Sequence, residues 1–221
     1  YTLPLALNIK KAIISGPTYA DYADACRLHR VAYQYVHASF SQGFFPDMDH
    51  IYRLAGSADM VFICNPNNPT GVMLEKEQLE YLVKAHESTL FVIDESYLPF
   101  ADSLGEHSLI NESGFDNVIV LSSMSKIYRI PGLRTGFLTG PALLAEKIMA
   151  HYQPWSVNAL AQAVIEDIFD HPDGIRPFYT TTEEFTQTEK ALFLEQIGPV
   201  EDLEPIHATT YFVLARLTGT M

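Results

Sequence analysis

Lys126 stands out among the residues whose types and spacing could do chemistry. It ends the run Ser-Ser-Met-Ser-Lys, and Arg134 follows eight residues later. Small hydroxyl groups and an arginine together can bind an anion. A lysine amine kept from water beside them would have the lowered pKa that a Schiff-base nucleophile needs. The alternative interpretation of the same residues is an ordinary lysine in a solvated loop.

Asp94 is the second candidate, because it directly follows the apolar run Leu90–Ile93. A carboxylate at the end of a buried strand costs free energy unless it is paired, so Asp94 requires a cationic partner or the N-terminus of a helix. A helix cap is the alternative that the sequence leaves open. Tyr97 ends the same motif, Asp-Glu-Ser-Tyr.

Two turn-like segments supply further polar and aromatic groups. One has the sequence Cys-Asn-Pro-Asn-Asn-Pro-Thr-Gly and contains Asn68, and the other is Gly-Pro-Thr-Tyr, which ends at Tyr19. Asn, Pro and Gly are common in ordinary turns, and most tyrosines only pack, so neither segment identifies a site alone. All four segments follow predicted strands, however, at the sheet edge where open α/β proteins bind ligands.

Composition limits the functions that the chain can have. Of the 221 residues, 48% are hydrophobic, and 14 basic against 27 acidic residues give a net charge of −13. This charge disfavours nucleic acid and anionic lipid as partners. The longest apolar runs, of five residues, are far below the ~18 that a transmembrane helix needs. The two cysteines form no Cys-x-x-Cys motif, which predicts a cytoplasmic protein without a metal site.

Apolar runs and helical stretches alternate along the chain. Three helices are predicted, at Tyr19–His29, Glu75–Glu87 and Pro141–Ala150. Six strands are predicted from β-branched and aromatic residues, at Lys11–Ser15, Val31–Val36, Asp59–Cys64, Leu90–Ile93, Val118–Leu121 and Gly136–Thr139. This alternation predicts an α/β fold, with a mostly parallel sheet covered by helices on both faces.

The character of the sequence changes after about Ala150. A polar stretch that reaches Gln196 predicts one extended helix, and His207–Leu217 predicts a strand. We therefore expect a large domain over residues 1–172, followed over residues 173–221 by a connecting helix and the start of a small α+β domain. Since the chain opens without Met, we expect a fragment that lacks the N-terminal part of the large domain and the rest of the small one.

The order of the motifs is more specific than any single motif. The series Gly-Pro-Thr-Tyr, Asn-Pro-Asn-Asn-Pro-Thr-Gly, Asp-Glu-Ser-Tyr, Ser-Met-Ser-Lys and Gly-Leu-Arg-Thr-Gly-Phe runs from Gly16 to Phe137. It resembles the class I/II aminotransferase family of fold type I pyridoxal-phosphate enzymes, and within that family the histidinol-phosphate aminotransferase branch. The segment from Pro154 to Ala161 is similar to threonine-phosphate decarboxylases.

This resemblance implies catalytic roles for three of the residues. Lys126 would form the Schiff base with the aldehyde of pyridoxal phosphate. Asp94 would face the pyridine nitrogen and keep it protonated, so that the ring can withdraw electrons from the substrate. Tyr97, together with Asn68, would hydrogen-bond the phenolic oxygen of the cofactor.

The resemblance also assigns the remaining binding residues. Tyr19 would stack on the cofactor ring, and Ser123, Ser125 and Arg134 would bind its phosphate. Asn158 is the candidate for substrate binding. The neighbouring polar residues are expected to be structural, and they are Asn65, Asn67, Glu95 and Arg129.

An enzyme is implied, either a pyridoxal-phosphate-dependent lyase or an aminotransferase. The two reactions differ in which bond of the substrate α-carbon breaks, C–COO⁻ or C–H. The decarboxylase-like segment favours conversion of L-threonine O-3-phosphate to aminopropanol phosphate, a step of cobalamin biosynthesis. A histidinol-phosphate or related aminotransferase is the alternative. A third alternative is not an enzyme: the chain would be a catalytically inactive fragment that binds the cofactor.

The resemblance extends to partners. A small phosphorylated amino acid or amine would be the substrate, and the full-length protein would be a homodimer, with neither nucleic acid nor membrane as a partner. Family members carry an N-terminal phosphate-binding turn and a C-terminal arginine for the substrate carboxylate, and we identify neither in these 221 residues. The activity of this chain alone is therefore left open.

Overall fold

A six-stranded sheet forms the centre of the molecule. The computed structural model describes residues 1–102, 104–110 and 114–219. The strands of the sheet are β1 (Lys11–Gly16), β2 (Ala32–His37), β3 (Met60–Cys64), β4 (Leu90–Asp94), β5 (Val118–Ser123) and β6 (Gly136–Thr139). Their order is β2-β1-β3-β4-β5-β6, and β6 alone runs antiparallel to its neighbour. The predicted α/β fold with a mostly parallel sheet is confirmed.

Alternate residues of the strands fill two separate cores, one on each face of the sheet. Ile13, Val61 and Ile93 belong to one core, whereas Ile14 and Phe62 belong to the other. Because side chains of a strand point alternately to opposite faces, burial on both faces requires an unbroken apolar run. The sequences of β3 and β4 have this property, which explains why they lie in the interior of the sheet.

Helices connect the strands and cover the sheet. They are α1 (Leu3–Ala6), α2 (Asp21–Leu28), α3 (Met48–Ala55), α4 (Lys76–Ala85), α5 (Met124–Ile127), α6 (Ala142–Met149), α7 (Ala159–Asp170) and α8 (Pro172–Ile197). Helix α4 shows why such a segment folds. A capping box of Glu75 and Gln78 begins it, and its apolar stripe of Leu79, Leu82 and Val83 is fully buried.

The C-terminal part differs in one respect from the prediction. The extended helix is present as α8, but His207–Leu217 is not one strand. Instead, β7 (Leu203–Pro205) and β8 (Ala215–Leu217) form a short antiparallel pair. Residues between these two strands do not extend β8, because the backbone of Thr209 bonds to Gly71 and not to a neighbouring strand. The last two residues of the predicted small domain, Thr220 and Met221, lie outside the described residues.

A loop between β7 and β8 attaches the C-terminal part to the sheet. Thr209 donates two hydrogen bonds to the carbonyl oxygen of Gly71, from its backbone N–H and its hydroxyl, each 2.8 Å long. Lys190 of α8 donates to the carbonyl oxygens of Ala208 and Thr210, at 2.8 Å each. We call residues 207–212 the docking loop. These hydrogen bonds place it beside the turn that follows β3.

No helix of the described ranges has both the length and the apolar character needed to cross a membrane. Helix α8 is the longest, with 26 residues, but polar and charged side chains occur along it.

Cys26 and Cys64 are both buried and unpaired. Across the same ranges, no group of three or more His, Cys, Asp or Glu side chains is arranged to hold a metal ion.

Candidate active site

The four sequence motifs meet in one cleft at the carboxyl ends of the parallel strands. Strand β1 leads into the Gly-Pro-Thr-Tyr turn, β3 into the Asn-Pro turn, β4 ends on Asp94, and β5 ends on Ser123. The cleft has a volume of about 870 Å³, which is in the range of small-molecule sites. Its walls include eight of the predicted site residues: Tyr19, Asn68, Asp94, Tyr97, Ser123, Ser125, Lys126 and Arg134.

Lys126 lies in α5, a single helical turn that begins directly after β5. Its amine is 5.8 Å from the centre of the Tyr97 ring. The side chain is exposed to solvent, so the described residues do not provide the shielding from water that the sequence suggested. Among these residues, no acceptor lies within hydrogen-bond distance of the amine, which leaves it free to react with a ligand in the cleft.

Asp94 receives one hydrogen bond on each carboxylate oxygen. The backbone N–H of Ser96 donates to Oδ1 at 3.0 Å, and the hydroxyl of Tyr22 donates to Oδ2 at 2.7 Å. Within the described part of the chain, Asp94 forms no salt bridge. Each oxygen retains a lone pair for a further donor. The carboxylate is therefore fixed in orientation and able to accept a hydrogen bond from a cationic ligand.

Sequence reasoning missed Tyr22, although a signal was present. Tyr22 follows Tyr19 by three residues, a spacing that brings two side chains near each other at a helix start. It is 5% exposed and stacks on Phe62, with ring centres 5.1 Å apart. Burial raises its pKa well above the usual value, and the nearby Cys64 and Asp94 act in the same direction. Tyr22 therefore stays protonated and donates to Asp94.

Tyr97 and Asn68 form a second polar pair in the cleft. The amide of Asn68 donates to the Tyr97 hydroxyl at 3.4 Å. Burial, followed by the nearby Tyr211, raises the pKa of Tyr97 to about 12. Phe212 of the docking loop packs edge-on against the Tyr97 ring at 5.2 Å. The Tyr97 hydroxyl is thus a protonated donor near neutral pH, held by packing from the C-terminal part.

The residues predicted to bind an anion lie in the connection between β5 and β6 and beside it. Ser125 is buried, and its hydroxyl donates to the Thr135 carbonyl at 3.2 Å. Arg134 donates one hydrogen bond to the Pro131 carbonyl at 3.3 Å and adopts a left-handed backbone conformation, with φ 54°. Most of its five N–H donors are therefore available to a ligand. Together with Ser123, these groups can bind an anion such as a phosphate.

The chemistry of the donor set fits pyridoxal phosphate. An aldehyde requires an amine, which Lys126 supplies, and a pyridine nitrogen requires a carboxylate, which Asp94 supplies. A phenolic oxygen requires donors such as the Tyr97 hydroxyl, and a phosphate requires Arg134 and neighbouring hydroxyls. Each functional group of this cofactor has a chemically matched partner in the same cleft.

Asn158 does not line the cleft with the other predicted residues. Its side-chain oxygen accepts a hydrogen bond from the Ala161 N–H at 2.9 Å and so caps helix α7, while its amide donates to the Leu133 carbonyl at 3.3 Å. Both ends of the side chain are therefore engaged within the protein. The neighbouring Val157 does reach the cleft. The role of Asn158 in substrate binding stays a prediction.

The neighbouring asparagines hold the turns together. Asn67 accepts a hydrogen bond from the Thr18 hydroxyl at 2.7 Å and donates to the carbonyl of Pro17 at 2.8 Å, and so joins the turns after β1 and β3. Asn65 exchanges two hydrogen bonds with the backbone of Leu74. These contacts agree with the structural roles expected from the sequence.

Glu95 has its own buried site beside the cleft. It accepts hydrogen bonds from the Ser108 hydroxyl at 2.6 Å and from the Leu109 N–H at 2.8 Å. Burial is the main cause that raises its pKa to about 7. A second cavity, of about 420 Å³, contacts Glu95 and shares Ser96, Ser122, Ser123 and Phe137 with the main cleft. This cavity lacks Lys126 and Asp94, so we place the chemistry in the larger cleft.

Comparisons with known proteins agree with the motifs. The family model described as aminotransferase class I and II matches residues 2–220. A histidinol-phosphate aminotransferase of Shewanella oneidensis is 32% identical over 189 residues, which are 83% of this chain and 47% of the relative. An adenosylcobalamin biosynthesis bifunctional protein of Leptospira interrogans is 27% identical over 224 residues, which are 97% of this chain and 25% of the relative.

A solved structure gives a similar result in three dimensions. The L-threonine-O-3-phosphate decarboxylase of Porphyromonas gingivalis superposes with a TM-score of 0.81 at 28% identity. The superposition covers 100% of this chain and 64% of the decarboxylase. The chain thus spans between a quarter and two thirds of the length of these three proteins.

Proposed function

The chain belongs to the aminotransferase class I and II family, and from this premise we propose that its protein decarboxylates L-threonine O-3-phosphate to aminopropanol phosphate. Members of the family are enzymes that use pyridoxal phosphate. The observation that carries the specific proposal is the likeness to the Porphyromonas gingivalis decarboxylase, which extends over 100% of this chain at 28% identity. Cobalamin biosynthesis is the corresponding pathway, and the Leptospira interrogans relative is an adenosylcobalamin biosynthesis protein.

Two residues would act on the aldehyde and on the ring nitrogen of the cofactor. Lys126 would bind the aldehyde through its amine, which has no competing acceptor among the described residues. Asp94 would accept a hydrogen bond from the ring nitrogen, because its two oxygens are already fixed by Ser96 and Tyr22 and each has a lone pair left. A negative charge at this point stabilises a positive charge on the ring.

Three further residues would orient the cofactor ring. Tyr97 and Asn68 would donate hydrogen bonds to the phenolic oxygen, since their polar groups meet within 3.4 Å on one wall of the cleft. Tyr19 would stack on the ring; its own ring is 47% exposed and stands edge-on to Tyr22 at 6.0 Å. An exposed aromatic face beside a cleft is suited to stacking.

Phosphate binding would be the role of Ser123, Ser125 and Arg134. Arg134 offers a planar set of donors that matches a phosphate, and the serine hydroxyls add neutral donors beside it. The backbone requires close approach here, because a Cβ at Gly136 would lie 2.6 Å from the Ser122 carbonyl oxygen. Gly136 thus lets β6 pair with the end of β5, next to the residues proposed to bind the phosphate.

Bound pyridoxal phosphate supplies an electron sink for the pair left when a bond to the substrate α-carbon breaks. Which bond breaks depends on how the protein holds the substrate, since the bond perpendicular to the ring is cleaved. Groups that hold the substrate carboxylate out of the ring plane favour loss of carbon dioxide. Groups that hold the carboxylate in the plane favour removal of the proton instead.

A product assay tests the proposal. The full-length protein with pyridoxal phosphate is incubated with L-threonine O-3-phosphate, and carbon dioxide and aminopropanol phosphate are measured. We expect both products without any added 2-oxo acid, because decarboxylation needs no amino-group acceptor. Turnover that occurs only with 2-oxoglutarate, and that yields glutamate from histidinol phosphate, would contradict the proposal.

Histidinol-phosphate transamination is the second candidate. The observation in its favour is the 32% identity with the Shewanella oneidensis histidinol-phosphate aminotransferase over 83% of this chain. Both substrates are phosphorylated amines, so phosphate affinity does not separate the two reactions. The dependence on 2-oxoglutarate in the assay above does separate them.

Oligomeric state, location and domain boundary are also proposed. We propose a homodimer in the cytoplasm, with a large domain over residues 1–172 and a small domain that begins near Asp173. The start of helix α8 at Pro172 supports this boundary. Size-exclusion chromatography with light scattering tests the dimer.

A further inference from the structure

We propose that Tyr22 is a positioning residue for Asp94, which holds the carboxylate in the orientation that accepts a hydrogen bond from the cofactor ring. The inference rests on the proposed function, because it requires Asp94 to contact the ring nitrogen. Tyr22 itself would not touch the reacting atoms. It would act only through the carboxylate that it holds.

The hydrogen bond between the two residues is well formed. The Tyr22 hydroxyl lies 2.7 Å from Asp94 Oδ2, which is the usual distance for a hydroxyl donor and also falls within the range for a charged acceptor. The residues are 72 positions apart in the sequence. The Ser96 N–H binds the other oxygen at 3.0 Å. Rotation of the carboxylate about its last bond would break both hydrogen bonds.

Packing fixes Tyr22 independently of Asp94. The ring is 5% exposed, stacks on Phe62 with an angle of 14° between the planes, and meets the edge of Tyr19. The hydroxyl position is therefore set by apolar contacts on helix α2 and strand β3. A donor held by its surroundings orients an acceptor at little entropic cost, whereas a mobile one does not.

The other polar neighbour of Tyr22 does not replace it. Burial raises the pKa of Cys64 to about 12, so this thiol stays neutral near pH 7. Its sulfur is 3.3 Å from the Pro66 carbonyl oxygen, to which it donates. A thiol is a weak donor. We therefore expect the loss of the Tyr22 hydroxyl to leave Asp94 with only the Ser96 N–H.

A double-mutant cycle separates positioning from simple packing. Tyr22→Phe keeps the ring and removes only the hydroxyl, and Asp94→Ala removes the acceptor. Affinity for pyridoxal phosphate is measured by absorbance titration of the cofactor-free full-length protein. We expect Tyr22→Phe to weaken cofactor binding roughly 3- to 10-fold in the otherwise wild-type protein. In the Asp94→Ala background the same substitution should weaken binding less than about 2-fold, because the two residues act as one unit. Tyr33→Phe, on the edge strand β2 and outside the cleft, is the control.

Circular dichroism of the bound cofactor gives a second measurement, since its visible band reports how the ring is held. We expect Tyr22→Phe to change the amplitude of this band, and Tyr33→Phe to leave it unchanged. If Tyr22→Phe binds and orients the cofactor like the wild type, the inference is wrong. An equal loss of affinity in both backgrounds would also overturn it, because it would show a structural role.

Borohydride reduction distinguishes failure of the inference from failure of the proposed function. An adduct on Lys126 in the wild type, together with unaltered cofactor binding in Tyr22→Phe, would rule out the positioning role of Tyr22 and leave the proposed site intact. If no adduct on Lys126 formed in the wild type, the proposed site would be wrong, and the role of Tyr22 with it.

Discussion

Arg134 and Arg129 offer a test at the scale of single residues. Both are exposed, and both have the same left-handed backbone conformation, with φ 54°. Only Arg134 lines the cleft. We expect Arg134→Gln to weaken binding of pyridoxal phosphate about 10-fold or more, since a charge-assisted hydrogen bond to phosphate is lost. Arg129→Gln should leave the affinity unchanged in the same absorbance titration.

An equal effect of the two arginine substitutions would contradict the assignment of the phosphate site. It would show that general positive charge, and not the position of Arg134 between β5 and β6, attracts the cofactor. Adding salt separates these cases further. Long-range attraction is screened over about 8 Å at physiological ionic strength, whereas direct hydrogen bonds are much less affected.

Residues at the ends of strands were predictable from the sequence, but their partners were not. Asp94 directly follows an apolar run and Lys126 follows another within five residues, and parallel strands bring such positions to one edge of the sheet. The contact between Tyr22 and Asp94 depends instead on where helix α2 lies across the sheet. Asn158 was assigned from a local resemblance, while its side chain caps helix α7.

Gly71 allows a test at the scale of elements. It has φ +67°, and a Cβ there would lie 2.4 Å from the Ala208 Cβ in the docking loop. Gly105 has a similar φ of +73°, but nothing lies within 4 Å of its Cβ position. Both alanine variants meet the same backbone strain. We expect Gly71→Ala to lower the free energy of unfolding by at least ~1 kcal/mol more than Gly105→Ala, because only the first displaces the docking loop.

Urea unfolding of the two glycine variants measures this difference. Equal losses of stability would mean that the docking loop moves away from Gly71 at no cost. We also expect weaker cofactor binding in Gly71→Ala alone, since the docking loop carries Phe212, which packs against Tyr97. Unaltered binding would show that the loop does not support the site.

Elements were predictable where one physical signal dominated. Strands β3 and β4 are unbroken apolar runs, and α4 has a cap and an apolar stripe. Helix α3 was not predicted, although Asp47 caps it by accepting from the His50 N–H. Of the strand predicted over His207–Leu217, only Ala215–Leu217 forms, because Thr209 pairs with Gly71 and not with a neighbouring strand.

At the scale of the whole molecule, the net charge opposes the proposed ligands. The chain carries a net charge of −13, and both the proposed cofactor and the proposed substrate are anionic. Attraction must therefore arise locally, from Lys126 and Arg134 in the cleft and from hydroxyl donors between them. This is possible because five parallel strands end at the same edge, so that segments distant in sequence supply both cations and donors to a single cavity.

The central claim is that Lys126 holds pyridoxal phosphate in this cleft, and reduction with borohydride tests it most directly. The full-length protein is incubated with the cofactor, reduced, digested and examined by mass spectrometry. We expect a visible absorbance band before reduction and a reduced cofactor adduct on Lys126 afterwards, with no stable adduct in Lys126→Ala. An adduct on another lysine in the wild-type protein, or none at all, would contradict the account.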